Sequence, residues 1–338
     1  DLRQMTSVLR FDLDNSGYFR VIQNSAVVDR LSREDIAKGR VSLGSWSAIG
    51  AELLVKVNCA KSGKKIKLTC AIYDLKNRRS IFSKKISGSN SNRRYLIHRL
   101  ADAIVEEFTG EKGIAATKIA FTADRGIAGK KDIYLVDYDG AALTRITHDD
   151  VVSVVPEFSP DGKTIYYTSY LKGYPKIVSI DLKTGKREVV SSFPGLNAFP
   201  AISPDGKEIA LSLSKDGTVD IYRMRLDGGK PIRLTRSPGG VASSPCWSPD
   251  GKKIAFVSNA HGTAQIYVMD RDGKNKKHLS KGYSYATAVD WSPKGNLIAF
   301  TAKRGRQRQI FILDLKNNRV EQITRVPANH ANPSFARD

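Results

Sequence analysis

The sequence predicts two domains: a small N-terminal α/β domain, with helices on a mixed sheet, over residues 1–112, then a β-propeller over residues 113–338. Three observations predict it. First, the phrase SPCWSPDGKKIAFVS (Ser244–Ser258) recurs as VPEFSPDGKTIYYTS (Val155–Ser169), FPAISPDGKEIALSL (Phe199–Leu213) and AVDWSPKGNLIAFTA (Ala288–Ala302), and a fifth copy opens as NPSFARD. Second, three markers keep the same step of 44 or 45 residues. They are the residue before each turn (Phe158, Ile202, Trp247, Trp291, Phe335), an isoleucine (Ile133, Ile177, Ile221, Ile266, Ile310) and a hydroxyl residue (Thr147, Ser191, Thr235, Ser280, Thr324). A fixed period of this length means an array of one supersecondary unit. Third, nothing of the kind occurs in the first 112 residues, which read as helix, meander and helix.

The elements follow in chain order. DLRQMTSVLRFDLDNSGYF is a helix ending near Asn15–Gly17, and FRVI (Phe19–Ile22) is a strand. SREDIAKG is a short helix started by a Ser32 cap. AELLVKVNCA, KIKLTCAIYDL and RRSIFSKKISG form an antiparallel meander. SNRRYLIHRLADAIVEEFTG is a helix with an apolar face of Leu96, Leu100, Ile104 and Phe108, ended by Gly110; EKGIAATK then joins it to the propeller.

Each repeat holds four short strands. In the third copy, strand A is Ser244–Ser248, stopped by Ser-Pro-Asp-Gly, in which proline presets φ for a type I turn and glycine closes it. Strand B is Lys253–Ser258, strand C Ala264–Asp270, and strand D lies in KKHLS. Four antiparallel strands per repeat describe a propeller blade, whose apolar faces are covered by its neighbours. Phe158, Trp247, Trp291 and Phe335 are expected between blades, each ring worth roughly 1.5–3 kcal/mol when buried. Strands B, C and D occur five times from Lys118 onward, and strand A five times with the last copy at the C-terminus. That copy either completes the first blade or begins a sixth.

The totals narrow the class. The chain has 338 residues, a normal apolar share of 41%, and no apolar run long enough to cross a bilayer. It opens on a helix pattern with neither a start methionine nor a signal peptide, and is expected to be the interior of a longer precursor. Cys59 and Cys70 flank a tight turn that would set Cys59 opposite about Ile66, so both are expected as free, buried thiols. The net charge of +21 is carried largely by lysines at turns (Lys163, Lys186, Lys207, Lys230, Lys252, Lys274, Lys294, Lys316), which spreads it around the rim rather than into a nucleic-acid stripe. Weak binding of anionic polymers stays open.

No catalytic constellation is legible. There is no Gly-x-Ser-x-Gly elbow, and GIAGKK at Gly126 has neither the spacing nor the Ser/Thr of a phosphate loop. The histidines (His98, His148, His261, His278, His330) show no metal-ligand spacing. DYDG and DRDG lack the glutamate that closes a calcium loop and read as hairpin turns. No cofactor, metal or catalytic residue is therefore expected; the alternative is a propeller enzyme of the sugar-lyase or peptidase type.

The Phe11–Phe19 helix exit FDLDNSGYF, GAELLVKV (Gly50–Val57), EEFTGEKG before the propeller, and the W-S-P-D-G repeats together resemble the TolB family of the Tol-Pal envelope system. The resemblance covers the whole chain. It implies a non-enzymatic, monomeric periplasmic scaffold, exported by a signal peptide not in this chain. Such a scaffold binds the peptidoglycan-associated lipoprotein Pal and supports outer-membrane integrity and constriction at division. The family's propeller has six blades of WD40-like type, so one is expected to be missing here, as is the N-terminal segment that contacts TolA. Alternation of strand direction puts the D-to-A loops on one face with the B-to-C turns, around the channel mouth, which the resemblance makes the Pal-binding face. Candidate contacts there are Val154, Asn197, Phe199, Ser243, Ser244, Tyr285, Thr287, His330 and Asn332, with Phe199 and Tyr285 as aromatic anchors.

Overall fold

A computed structural model of the chain describes residues 2–23, 25–124 and 129–336. These form two compact units, residues 2–118 with 137–141, and residues 119–136 with 142–336.

The first unit runs α1 (Leu2–Asn15), α2 (Ser25–Lys38), α3 (Leu43–Ser47), β1 (Leu53–Ser62), β2 (Lys65–Asp74), β3 (Arg79–Ser89) and α4 (Arg93–Thr109). The sheet order is β1-β2-β3 and both pairings are antiparallel, so the sheet is not mixed: short turns return the chain directly, which only antiparallel strands permit. β2 alternates, burying Ile66, Leu68, Cys70 and Ile72 against Val8, Leu9 and Leu13 of α1 and Leu96, Ile97, Leu100 and Ile104 of α4. Gly110 ends α4 in the left-handed region at φ 72°, and its N–H donates to the Glu106 carbonyl at 2.8 Å.

Four further sequence expectations need correction in this unit. FRVI is not a strand: the Val21 N–H donates to Asp14 Oδ1 at 2.9 Å and the Ile22 carbonyl accepts from Arg10, so helix side chains satisfy the backbone that a sheet would otherwise pair. Ser32 lies inside α2, which starts seven residues earlier, and α3 is an additional helix. Its Trp46 Nε1 donates to Asp35 Oδ2 at 2.8 Å. Burial opposes ionisation of Asp35, but that bond and the Ser42 N–H outweigh it and hold the carboxyl below its ordinary range. Phe108 is 39% exposed and meets Phe19 edge-on at 5.5 Å rather than joining the core. Finally, Cys59 faces Leu68, not Ile66, while Cys70 faces Val57. All three cysteines are free thiols; Cys70 is buried, which pushes it up to about 11, whereas Cys59 is only half-buried.

The second unit is five successive antiparallel sheets in a β-propeller arrangement. The first has strands B, C and D (Lys118–Ala123, Asp132–Asp137, Thr144–Arg145). The next four have all of A to D. They are Ser153–Phe158, Thr164–Ser169, Lys176–Asp181, Arg187–Ser191; then Asn197–Ile202, Glu208–Leu213, Asp220–Arg225, Ile232–Arg233; then Ala242–Trp247, Lys253–Ser258, Gln265–Asp270, Lys277–His278; then Ala286–Trp291, Leu297–Arg304, Gln307–Asp314, Arg319–Gln322. The fifth copy of strand A, residues 332–336, pairs with no described strand and is not one itself.

The cores lie between adjacent sheets. Trp247 packs with Ala201, Ala210 and Leu234 of the preceding blade, Trp291 with Ala255, Val257 and Ile266, and Phe158 against Ile133 and Leu135. Phe335 belongs to none of these cores; it is half-buried, and its N–H donates to Asp290 Oδ2 at 2.6 Å.

In four of the five blades the other two markers are one device; in the second, a longer strand D pairs Ser191 with Ile177 in the ladder and the Ser191 hydroxyl donates to Asn197. Strand D is often two residues long, too short to pair the whole of strand C. The hydroxyl just beyond it accepts the orphaned isoleucine N–H: Ile133 to Thr147 at 3.0 Å, and Ile221 to Thr235, Ile266 to Ser280 and Ile310 to Thr324 at 2.9 Å. The same hydroxyl donates to the residue before that isoleucine, as Thr235 does to Asp220 at 2.6 Å. At the opposite ends of the blades, the Ser159, Ser203 and Ser248 hydroxyls each donate to the turn aspartate at 2.6 Å. Gly162, Gly206 and Gly251 close these turns through N–H bonds to the serine carbonyls.

Candidate functional site

Because every pairing in the blades is antiparallel, the D-to-A loops and B-to-C turns come to one end of the sheets and the Ser-Pro-Asp-Gly turns to the other. Strand A enters the sheet at the loop end, and there it breaks register in every four-stranded blade. The break is a bulge built around a non-glycine residue in the left-handed region: Val155, Phe199, Ser244 and Ala288 have φ between 52 and 55°, and Asn332 has φ 58° in the fifth copy. Four of the five precede a proline, which bars the right-handed helical region. Left-handed backbone costs a side-chain-bearing residue about 1–3 kcal/mol. The bulge returns part of that through hydrogen bonds to the preceding blade: the Phe199 N–H donates to Thr168 Oγ1 at 3.3 Å and the Asn332 N–H to Thr301 Oγ1 at 3.2 Å.

The candidate residues fall on or beside these bulges. Val154, Ser243 and Thr287 are half-buried and pair across to strand B, opposite Thr168, Val257 and Thr301. Phe199 and Ser244 are half-buried at the left-handed position, and Asn332 is exposed there. Tyr285 is half-buried just before strand A of the last blade, with Lys303 Nζ 6.0 Å from its ring centre. His330 is half-buried; its N–H donates to the Arg308 carbonyl at 2.8 Å, while its Nε2 has no partner. Asn197 differs. It is 1% exposed, accepts from the Ser191 hydroxyl and the Phe193 N–H, and donates to the carbonyls of Phe193 and Gly195, so it shapes its own loop.

Three features escaped sequence reasoning. The left-handed bulge had a readable trace, the recurrent Pro156, Pro200, Pro245 and Pro333. A hairpin carrying Lys303, Arg304, Arg306 and Arg308 was visible as a run of cations but was absorbed into the general charge. In the first unit, Asp12, His98 and Asp139 bring ligand-type atoms within 4.8 Å of one another, from positions too distant in sequence to suggest it. His98 Nδ1 lies 2.8 Å from Asp12 Oδ2, and Arg94 pairs with Asp139. Arg94 supplies a positive charge to Asp139, and His98 lies between the two carboxylates, 3.6 Å from Asp139 Oδ2, so the group forms a buried polar network.

Comparison with known proteins agrees with this architecture. The family described as the TolB beta propeller domain matches residues 105–338, and the TolB amino-terminal domain matches residues 2–81. The Tol-Pal system protein TolB of Desulfosudis oleivorans is 32% identical over 227 residues, covering 67% of this chain and 51% of its own length. The chain thus spans about half the length of that curated relative. The crystal structure of TolB from Acinetobacter baumannii is similar with a TM-score of 0.85 at 25% identity, covering 97% of this chain and 81% of that one. A putative TolB from Agrobacterium tumefaciens shares the fold, with a TM-score of 0.52 at 22% identity over 56% of this chain and 73% of that one.

Proposed function

The chain belongs to the TolB family, and from that premise we propose that it is a non-enzymatic interaction scaffold of the Tol-Pal envelope system. In this reading it works in the periplasm and binds the peptidoglycan-associated lipoprotein Pal through the loop face of the propeller, supporting outer-membrane integrity and constriction at division. Residues 1–112 and 113–338 act as its two domains. No helix among the described residues is long and apolar enough to cross a membrane, in keeping with a peripheral role.

One observation carries the reading. Strained, half-exposed residues recur at the same end of strand A in successive blades, and strain of this kind gathers at ligand clamps and binding sites. Around them stand aromatic and hydrogen-bonding groups, Phe199, Ser244, Tyr285 and His330. The test is calorimetric titration with the soluble domain of the lipoprotein. Phe199→Ala and Tyr285→Ala should each weaken binding at least about tenfold, as buried aromatic anchors do. Wild-type affinity in both would remove the loop face from the reading.

A further inference from the structure

The last blade departs from the repeat at one place. Its strands B and C are eight residues long against six in the other four-stranded blades, so their hairpin extends the sheet at the loop end. Gly305, at φ 61°, begins a two-residue turn of the kind that closes tight hairpins. The extension carries Lys303, Arg304, Arg306 and Arg308, all exposed. Lys303 stands directly opposite Arg308 in the ladder, a like-charge pair that destabilises a hairpin. Among the described ion pairs none involves these four side chains, although Arg304 donates to Gln322 Oε1 and Lys303 lies over the Tyr285 ring. The flanking loops 281–285 and 323–330 contain no Asp or Glu and add Lys281 and Arg325, and the one acidic residue on the adjoining strand D is Glu321.

The hairpin is held firmly. The Arg308 N–H donates to Asn329 Oδ1 at 2.9 Å and its carbonyl accepts from the His330 N–H; Gln309 Nε2 donates to the Ala328 carbonyl at 3.0 Å. Like charges are thus held close together on a braced backbone, a cost that a negative counterpart would relieve. The cations are densest on this hairpin. The matching turn 259–264 of the blade before has no Lys or Arg, Lys215 one blade earlier is already paired with Asp216 at 2.9 Å, the second blade's turn carries Lys172 alone, and the first blade's has Lys130 and Lys131 among its described residues. A linear polyanion needs a continuous track, whereas a compact patch bordered by Tyr285 and the exposed Val326 suits a folded protein surface.

We infer that the Lys303–Arg308 hairpin docks an acidic, Asp/Glu-rich patch on the protein partner that binds the loop face. This rests on the functional reading above and adds the chemistry of the partner's contact. Fixed charges at the edge of an interface act mainly on association rate and its salt dependence.

The experiment measures association of the full chain with the soluble domain of the peptidoglycan-associated lipoprotein across a salt series. The hairpin variant carries Lys303→Gln, Arg304→Gln, Arg306→Gln and Arg308→Gln. The control removes the same charge from exposed lysines at the other end of the blades, through Lys207→Gln, Lys230→Gln, Lys252→Gln and Lys316→Gln. The hairpin variant should associate about tenfold more slowly at low salt with a flatter salt dependence, while the control keeps the wild-type rate. Equal slowing in both variants would trace the effect to overall charge and overturn the inference. Unchanged rates in both, with wild-type binding intact, would overturn it and leave the functional reading standing. A hairpin variant that loses retention on heparin but keeps its lipoprotein kinetics would assign the patch to a linear polyanion and overturn it likewise. If the wild type binds no lipoprotein at all, the functional reading fails and takes the inference with it.

Discussion

Replacing Trp247 by alanine tests the claim that the blades are held by what they place between each other. The indole is 7% exposed and packs on Ala201, Ala210 and Leu234 of the preceding blade. Its Nε1 donates to the Ala201 carbonyl at 3.0 Å, 46 residues away in sequence, and Arg271 lies 6.0 Å from the ring centre. Truncating a buried Trp to Ala costs about 3–5 kcal/mol through lost transfer and a residual cavity. The stranded Ala201 carbonyl adds about 1 kcal/mol. Trp247→Phe separates the two contributions, since it keeps most of the ring and loses the donor. Urea unfolding followed by far-UV circular dichroism should show Trp247→Ala destabilised by about 4 kcal/mol and Trp247→Phe by about 1–2 kcal/mol. A loss below about 1 kcal/mol for the alanine variant would show that blade contacts are not the main source of stability. Equal losses for the two variants would show that the hydrogen bond, not packing, is what matters.

Two further outcomes follow from the polar ends of the blades. Thr235→Val removes the acceptor of the Ile221 N–H and a donor to Asp220, and should cost about 1–3 kcal/mol in the same assay, with Thr235→Ser restoring most of it as Ser280 does in the next blade. The turn carboxylates Asp161, Asp205 and Asp250 are held low first by the Ser159, Ser203 and Ser248 hydroxyls and then by backbone N–H groups, with Asp161 pushed down to about 2. A carboxyl lowered in the folded state stabilises it above the unfolded value of about 3.9 and loses that contribution as pH falls through the folded one. Thermal midpoints should therefore drop as pH falls from about 4 toward 2. The drop should be shallower in a Ser159→Ala, Ser203→Ala, Ser248→Ala variant, and a wild-type slope in that variant would argue against the serine hydroxyls as the cause.

Much of the second unit was legible because its signals are local and repeated. The Ser-Pro-Asp-Gly turn is decided within four residues, and the alternation of Lys253–Ser258 or Glu208–Leu213 within six. What failed depended on partners distant in sequence. Phe19–Ile22 has the composition of a strand, and only the positions of Asp14 and Arg10 decide that its backbone is satisfied elsewhere. The start of α2 lay at Ser25 because SAVVDRL contributes Val27, Val28 and Leu31 to a small core with Trp46 and Leu75. The candidate face followed from strand alternation alone. The role of Asn197 could not, because a buried asparagine and an exposed one read alike until the bonds to Ser191, Phe193 and Gly195 are known.

The repeat itself explains where function should be sought. Its markers each answer a requirement that most blades share: a residue in the core between blades, a hydroxyl for the N–H that a short strand D leaves unpaired, a capped turn at the far end. Features that recur for such reasons carry the ring's construction and cannot distinguish one partner from another. The residue in the bulge is different, for the backbone conformation is kept while the side chain varies through Val155, Phe199, Ser244, Ala288 and Asn332. The hairpin of the last blade goes further, lengthening the strands and adding like charges that no described ion pair offsets. Constancy of backbone with variation of side chain marks a scaffold, and the place where the pattern incurs a cost without a structural return is where a partner's chemistry has been written into it.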